Sequence, residues 1–358
     1  MRPLSAALGS SDGHARERAA LALRFVFGGG RLDTPVQKHG ALLAPAARLA
    51  SGPLRTALRD ESAKVRKHAA WTLGSLAAGG SGDNDGAGGS TGSVAALLIA
   101  LLVSDTDAEV RRNAAHALGH ALLVVDPAAT ATPVGLLARA LADDADEGVR
   151  RHAAQALGRL GALARPAAAA LAQALGDPHP DVRRNAAAAL NATGGAGVTG
   201  GIGSSDGERD RVVLVAQLAK ALLDPNHKVR RSATQTLGKL GPTVALLLVD
   251  ATADEHQAVR RSAVEALGKV AVGPPAGLPG SVVARMGQVV LLHGDMDIRR
   301  RVAVVLSRLG EGARPAVSAL RQTETELQMQ TQARTVLASD SDGSRKVLGL
   351  VTRLLTRL

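Results

Sequence analysis

The chain has 358 residues, a formal net charge of +11, a hydrophobic content of 46%, no cysteine, and Phe25, Phe27 and Trp71 as its aromatic residues. Without cysteine there is no disulfide, thiolate metal site or cysteine nucleophile, and alanine and leucine must do most of the packing. No run of about 18 apolar residues is present to cross a bilayer, and no charged-then-apolar leader precedes a cleavage site, so a soluble intracellular protein is expected.

An internal repeat, Val-Arg-Arg-x-Ala-Ala-x-Ala-Leu-Gly, organises the chain. A degenerate copy starts near Ala15, full copies start at Val65, Val110, Val149, Val182, Val229, Val259 and Ile298, and another degenerate copy starts near Met329. The starts lie roughly 30 to 50 residues apart, the period of stacked helical hairpins. In the copy at Val149, apolar residues recur at Val149, Ala153, Ala156, Leu157 and Leu160, the three-and-four spacing of one buried helical face. This segment is predicted to be the second helix of each pair. Pro133, Pro166, Pro242 and Pro315 mark the opening turns of first helices. Asp60, Asp105, Asp144, Asp177, Asp224 and Asp254, each five residues before the motif Val or its equivalent, are suited to capping the second helices. Gly74, Gly119, Gly158, Gly238 and Gly268 predict either close helix packing or a C-cap.

Gly-rich insertions are expected at about 77–91, 191–210 and 273–280 in an otherwise single array spanning 1–358. Asp83-Asn84-Asp85-Gly86 lacks the ligand spacing and terminal Glu of a calcium loop and reads as linker. Asn191-Ala192-Thr193 has the form of a glycosylation acceptor, without a secretory signal to use it. The segment 344–358 places Val347, Leu350, Val351, Leu354, Leu355 and Leu358 on one helical face. It predicts a last helix that either closes the core or meets a partner at the end of the array. A weaker reading is a basic amphipathic helix touching a membrane surface.

The pattern Asp-x-x-x-x-Val-Arg-Arg-x-Ala-Ala-x-Ala-Leu-Gly resembles the HEAT-like repeats of the phycobilisome-lyase type, over about residues 5 to 340. The resemblance implies an all-α fold, an α-solenoid superhelix of about eight or nine stacked HEAT-like hairpins. It fixes architecture better than activity, because such repeats occur in bilin lyases, in deoxyhypusine hydroxylases and in scaffolds without catalysis. His68 and His152 fall where the hydroxylases place the His of their iron-binding His-Glu pairs. Here Ala69 and Ala153 stand in the place of the carboxylate, so no metal site is expected. His116 and His120, four apart on one helix, are read with them as exposed polar surface. No catalytic constellation is legible, and no cofactor is implied.

Charge is phased with the repeat. The first motif arginine (Arg66, Arg111, Arg150, Arg183, Arg230, Arg260, Arg299) lies beside the buried Val, and the resemblance implies a structural Asp–Arg ladder between neighbouring units. The second basic residue (Lys67, Arg112, Arg151, Arg184, Arg231, Arg261, Arg300) lies off the apolar stripe, with Arg159, Lys239, Lys269 and Arg308 two to three turns further along. If the second helices line the concave side, as the resemblance implies, these residues form a basic strip that binds partners or serves as a solvated face. The expected function is a non-catalytic scaffold or adaptor. It would hold a protein with an acidic surface or segment on that strip or at its terminal helices, as part of a larger assembly. The alternative is a bilin-lyase-like or other HEAT-type enzyme subunit or chaperone, for which aromatic pocket walls are lacking. Nucleic-acid backbone binding ranks lower, since Trp71 alone is no stacking platform.

Overall fold

Every full motif copy forms a second helix, because Val, Ala and Leu at positions 0, 4 and 8 of the motif share one face and strong helix formers fill the remainder. The computed structural model describes residues 2–28, 40–78, 90–124, 130–194, 205–272, 278–337 and 342–357, and no strand occurs among them. Asp83-Asn84-Asp85-Gly86 and Leu358 lie outside the described residues. The chain divides into two compact units, Met1–Thr193 and Gly194–Leu358, the boundary falling within the Gly-rich stretch 191–210.

In the first unit, α1 (Arg2–Ala7) pairs with α2 (Gly13–Gly28), α3 (Gly40–Ala57) with α4 (Ala63–Ala78), and α5 (Ser90–Ser104) with α6 (Ala108–Ala121). α7 (Ala131–Asp143) then pairs with α8 (Glu147–Leu160), and α9 (Ala168–Gln173) with α10 (Pro180–Ala192). The second helices α2, α4, α6, α8 and α10 pack successively into one layer. The second unit repeats the plan. α11 (Ser205–Ala221) pairs with α12 (His227–Leu237), α13 (Ala245–Asp250) with α14 (Gln257–Val272), α15 (Gly280–Leu292) with α16 (Met296–Leu309), and α17 (Val317–Leu337) with α18 (Asp342–Leu355). Its second helices α12, α14, α16 and α18 again form a layer.

Positions 0, 4 and 8 are the core. Val110, Ala114 and Leu118, Val149, Ala153 and Leu157, and Ile298, Val302 and Leu306 are fully buried. Gly74 and Gly119 at position 9 set the helix spacing. A Cβ on Gly74 would lie 2.7 Å from Ala117 Cα, and one on Gly119 would lie 2.8 Å from Ala156 Cα. Close packing is therefore the role of these two glycines. The left-handed C-caps are instead Gly161 and Gly310, with φ of 53° and 56°.

Several sequence expectations need correction. The turn aspartates do not cap the second helices: Asp105 Oδ1 accepts the Asp107 amide at 2.9 Å, and Asp107 caps α6 by accepting from Glu109 and Val110. Five residues before Val is two residues outside the N-cap, and from there the carboxylate bonds the N-cap amide rather than the first helical amides. Pro166 and Pro315 fall inside 3-10 turns, Gly161–Ala167 and Gly310–Ala316, that precede α9 and α17. The second insertion, 191–210, is shorter than expected, since α10 runs to Ala192 and helix α11 already starts at Ser205. Met329 lies in α17, 62% exposed, so the last hairpin's second helix is α18 and not the segment starting at Met329. In the Asn191-Ala192-Thr193 sequence, Thr193 is buried and its hydroxyl donates to the Leu190 carbonyl at 2.8 Å. α18 closes the core by burying Val347, Val351 and Leu354 while packing on α16 and α17. No helix among the described residues is long and apolar enough to cross a membrane.

Candidate interaction surface

Two kinds of arginine follow from one motif. The first arginine forks onto the turn aspartate of the next hairpin: Arg66 donates Nε to Asp105 at 2.7 Å and Nη2 at 2.9 Å, and Arg111 reaches Asp144 at 2.8 and 3.0 Å. Arg16, Arg150 and Arg230 reach Asp60, Asp177 and Asp254 in the same way at 2.7 to 2.8 Å through Nε. Nη1 is used as well; that of Arg111 donates to the Asp105 and Thr106 carbonyls at 2.8 and 3.2 Å. One guanidinium thus ties its own turn to its neighbour's, and hydrogen bonding to the aspartate raises the arginine pKa. Arg260 reaches Asp295 at 2.9 Å, and Arg183 keeps the carbonyl contacts to Asp177 and Pro178. Arg299 departs from the ladder: buried, it donates Nε to the Val290 carbonyl at 2.6 Å, and burial lowers its pKa.

The second basic residues divide by what the next hairpin offers. Lys67 pairs with Glu109 at 2.5 Å and Arg112 with Asp146 at 2.5 Å, Asp146 being drawn down to about 2 chiefly by that hydrogen bond. Arg151 lies 3.9 Å and Arg184 3.0 Å from Asp181, and Arg261 lies 3.3 Å from Asp297. Arg231 is exposed, and Ala258 and His256 occupy the places, one and three before Val259, that hold Glu109 and Asp146 in the first unit. Arg159 lies beside His116 and His120, whose protonation it disfavours. Lys239 is lowered by partial burial and by Lys269. In the first unit, Lys67 and Arg112 are therefore paired across hairpins.

The second unit gathers cations instead. Between α14 and α16 runs a groove of about 960 Å³ lined by Arg261, Lys269, Arg300, Arg301 and Arg308, over a floor that includes Val264, Gly268, Val304 and Val305. The carboxylates here are Glu265, which holds Lys269 at 2.8 Å, and Asp297, which Arg261, Arg300 and Arg301 share at 3.3, 3.0 and 2.8 Å. Five cationic side chains face two carboxylates, a positive excess along an open groove. Arg301 stands outside the sequence-read strip, because it occupies the polar position 3 of its motif. Its signal in the sequence is a cation where the other full copies carry His, Asn or Ser.

The family model described as HEAT repeats matches residues 95–191 and 213–280. Those two segments are similar to HEAT repeats. An engineered protein solved by a structural genomics consortium is similar with a TM-score of 0.61 at 18% identity, over 99% of this chain and 98% of that one. A designed armadillo repeat protein gives 0.50 at 23% identity over 67% and 99% of the two chains. Importin beta gives 0.52 at 16% identity over 99% of this chain and 53% of its own. At these identities the likeness is one of fold. No curated protein matches the sequence.

In the hairpins of the first unit, the histidines expected at the surface are packed within the second-helix layer. His68 and His116 are buried, the ring centroids of His116 and His120 are 5.1 Å apart, and those of His116 and His152 are 6.0 Å apart. Position 3 or 6 of one second helix faces the next helix, which sequence spacing along a single helix does not reveal. His68 Nδ1 lies 3.2 Å from Arg24, whose guanidinium stands 5.0 Å from the centre of the buried Trp71 ring. Among the described residues no group of three His, Asp or Glu is arranged to hold a metal ion.

Burial first, and then neighbouring Arg24 or Arg159, push His68 down to about 4, His116 to about 3 and His120 to about 4. Each folded pKa lies below the unfolded value of about 6.5, so the unfolded chain binds more protons and stability rises with pH. The stability is complete above pH ~6.5 and is lost as pH drops toward the folded values. Melting temperature should therefore fall between pH 7 and 4.5, where ordinary carboxylates stay mostly ionised, and His116→Leu should flatten that slope. A melting temperature independent of pH across this window would contradict the burial.

Proposed function

We propose that the chain is a non-catalytic scaffold that holds an acidic protein segment in the cationic groove of its second unit. The observation that supports this reading is the excess of Arg261, Lys269, Arg300, Arg301 and Arg308 over Glu265 and Asp297 in one open groove. Repeat proteins of this general fold can present such surfaces to extended partners, and one designed armadillo protein was solved in complex with the basic peptide (KR)4. The charge of the lining selects the charge of the guest, and here the lining is basic. The narrower bilin-lyase-like reading lacks support: Trp71 is buried beneath Arg24, and Phe25, 58% exposed on α2, stands without a facing aromatic wall.

Affinity purification of the full chain with crosslinking tests the proposal. Crosslinks should concentrate at Lys239 and Lys269, and Arg261→Glu with Arg301→Glu and Arg308→Glu should abolish capture while Arg151→Glu with Arg184→Glu in the first unit leaves it. Binding should weaken as salt rises, because exposed charges are screened beyond a Debye length of about 8 Å. Unchanged capture by the groove variant, with crosslinks confined to Lys346 on α18, would show that the protein acts through its end instead.

A further inference from the structure

The groove owes its existence to one break in the repeat. At Gly74 and Gly119, position 9 of their motifs, glycine meets an alanine at position 7 of the next helix so closely that a Cβ would lie 2.7 to 2.8 Å from its backbone, and at Gly158 the Cβ would lie 3.3 to 3.4 Å from Ala189. Position 7 of α16 is Val305, and a Cβ on Gly268 would meet only Val305 Cγ2, at 3.6 Å. Gly268 is thus not needed for helices α14 and α16 to approach; it leaves the floor of the groove open. The cations stand at the two ends of that floor. Arg261, Arg300 and Arg301 lie toward the helix N-termini, gathered on Asp297, while Lys269 and Arg308 lie toward the C-termini. From Arg301 to Arg308 is seven residues of α16, a rise of about 10.5 Å. Val264, Gly268, Val304 and Val305 occupy the interval.

Building on the acidic-segment reading, we propose that the groove selects a segment in which apolar residues are flanked by acidic clusters about 10 Å apart. In extended peptide this distance is about three residues. Pure polyanions match the rims but leave the valine floor uncovered. The groove has no aromatic side chain on which bases could stack, since Phe25, Phe27 and Trp71 all lie in α2 and α4.

The test is fluorescence anisotropy on the full chain with labelled peptides Glu-Asp-Leu-Ile-Asp-Glu, Glu-Asp-Ser-Ser-Asp-Glu and hexaglutamate, and with a 20-base-pair DNA duplex. The Leu-Ile peptide should bind about tenfold tighter than the Ser-Ser peptide, from the apolar area covered. Gly268→Leu, which fills the floor, should remove that advantage while leaving hexaglutamate binding unchanged. Arg301→Glu with Arg308→Glu should weaken all the acidic peptides. Gly268→Ala adds a milder filling at a position with 3.6 Å of clearance and serves if the leucine variant loses helicity by circular dichroism. Equal affinity for all three peptides, each lost on charge reversal, would overturn the apolar selection and leave the acidic scaffold standing. Failure of every acidic peptide to bind, or tighter binding of the duplex, would overturn both.

Discussion

Arg111→Ala should lower the stability of the first unit by about 3 kcal/mol or more, the cost of breaking a largely buried ion pair by removing one partner. The substitution leaves Asp144 without its fork at 2.8 and 3.0 Å and strands the Asp105 and Thr106 carbonyls that Nη1 satisfies. Arg111 and Asp144 side chains are 17% and 11% exposed, so water restores little of what is lost. Arg151→Ala is the matched control. Its contact with Asp181 is 3.9 Å and both side chains are more than a third exposed, for which less than about 1 kcal/mol is expected. Arg111→Lys should fall between the two, because an ammonium keeps the charge but not the planar fork. Guanidinium unfolding, with amide exchange of α6 and α8 as a local readout, measures all three. Equal losses for Arg111→Ala and Arg151→Ala would contradict the division of the motif cations into structural and surface roles.

Gly119→Ala and Gly268→Ala should change stability in opposite directions, although the same residue is replaced at the same motif position. In an open helix, Gly to Ala gains about 1 kcal/mol. At Gly119 the new Cβ would lie 2.8 Å from Ala156 Cα, so α6 and α8 must separate, and overpacking of this kind costs about 1–3 kcal/mol. The net change is a loss. At Gly268 the nearest atom is Val305 Cγ2 at 3.6 Å, an ordinary contact, and the propensity gain survives. Thermal melts of the two variants decide the matter: a loss at Gly268, or a gain at Gly119, would refute the different helix spacing assigned to the two places.

The periodicity of Val, Ala and Leu carried the hairpins and the buried face of the second helix, because each is a local spacing repeated many times, while the Asp–Arg ladder was legible only through the resemblance to HEAT-like repeats. A face that recurs at positions 0, 4 and 8 can be buried in only one way once the helices stack. What the repeat could not reveal lies between hairpins. Lys67 and Arg112 lose their freedom to Glu109 and Asp146, residues 42 and 34 positions away. For Arg231, Ala258 and His256 occupy the equivalent places. His116 is buried by a neighbour, His152, on the next helix. Tertiary structure alone decided which cations remain available, since an ion pair depends on the distance of closest approach and not on sequence period. It likewise placed Val305, where α6 and α8 carry Ala117 and Ala156, against Gly268 in the groove between α14 and α16.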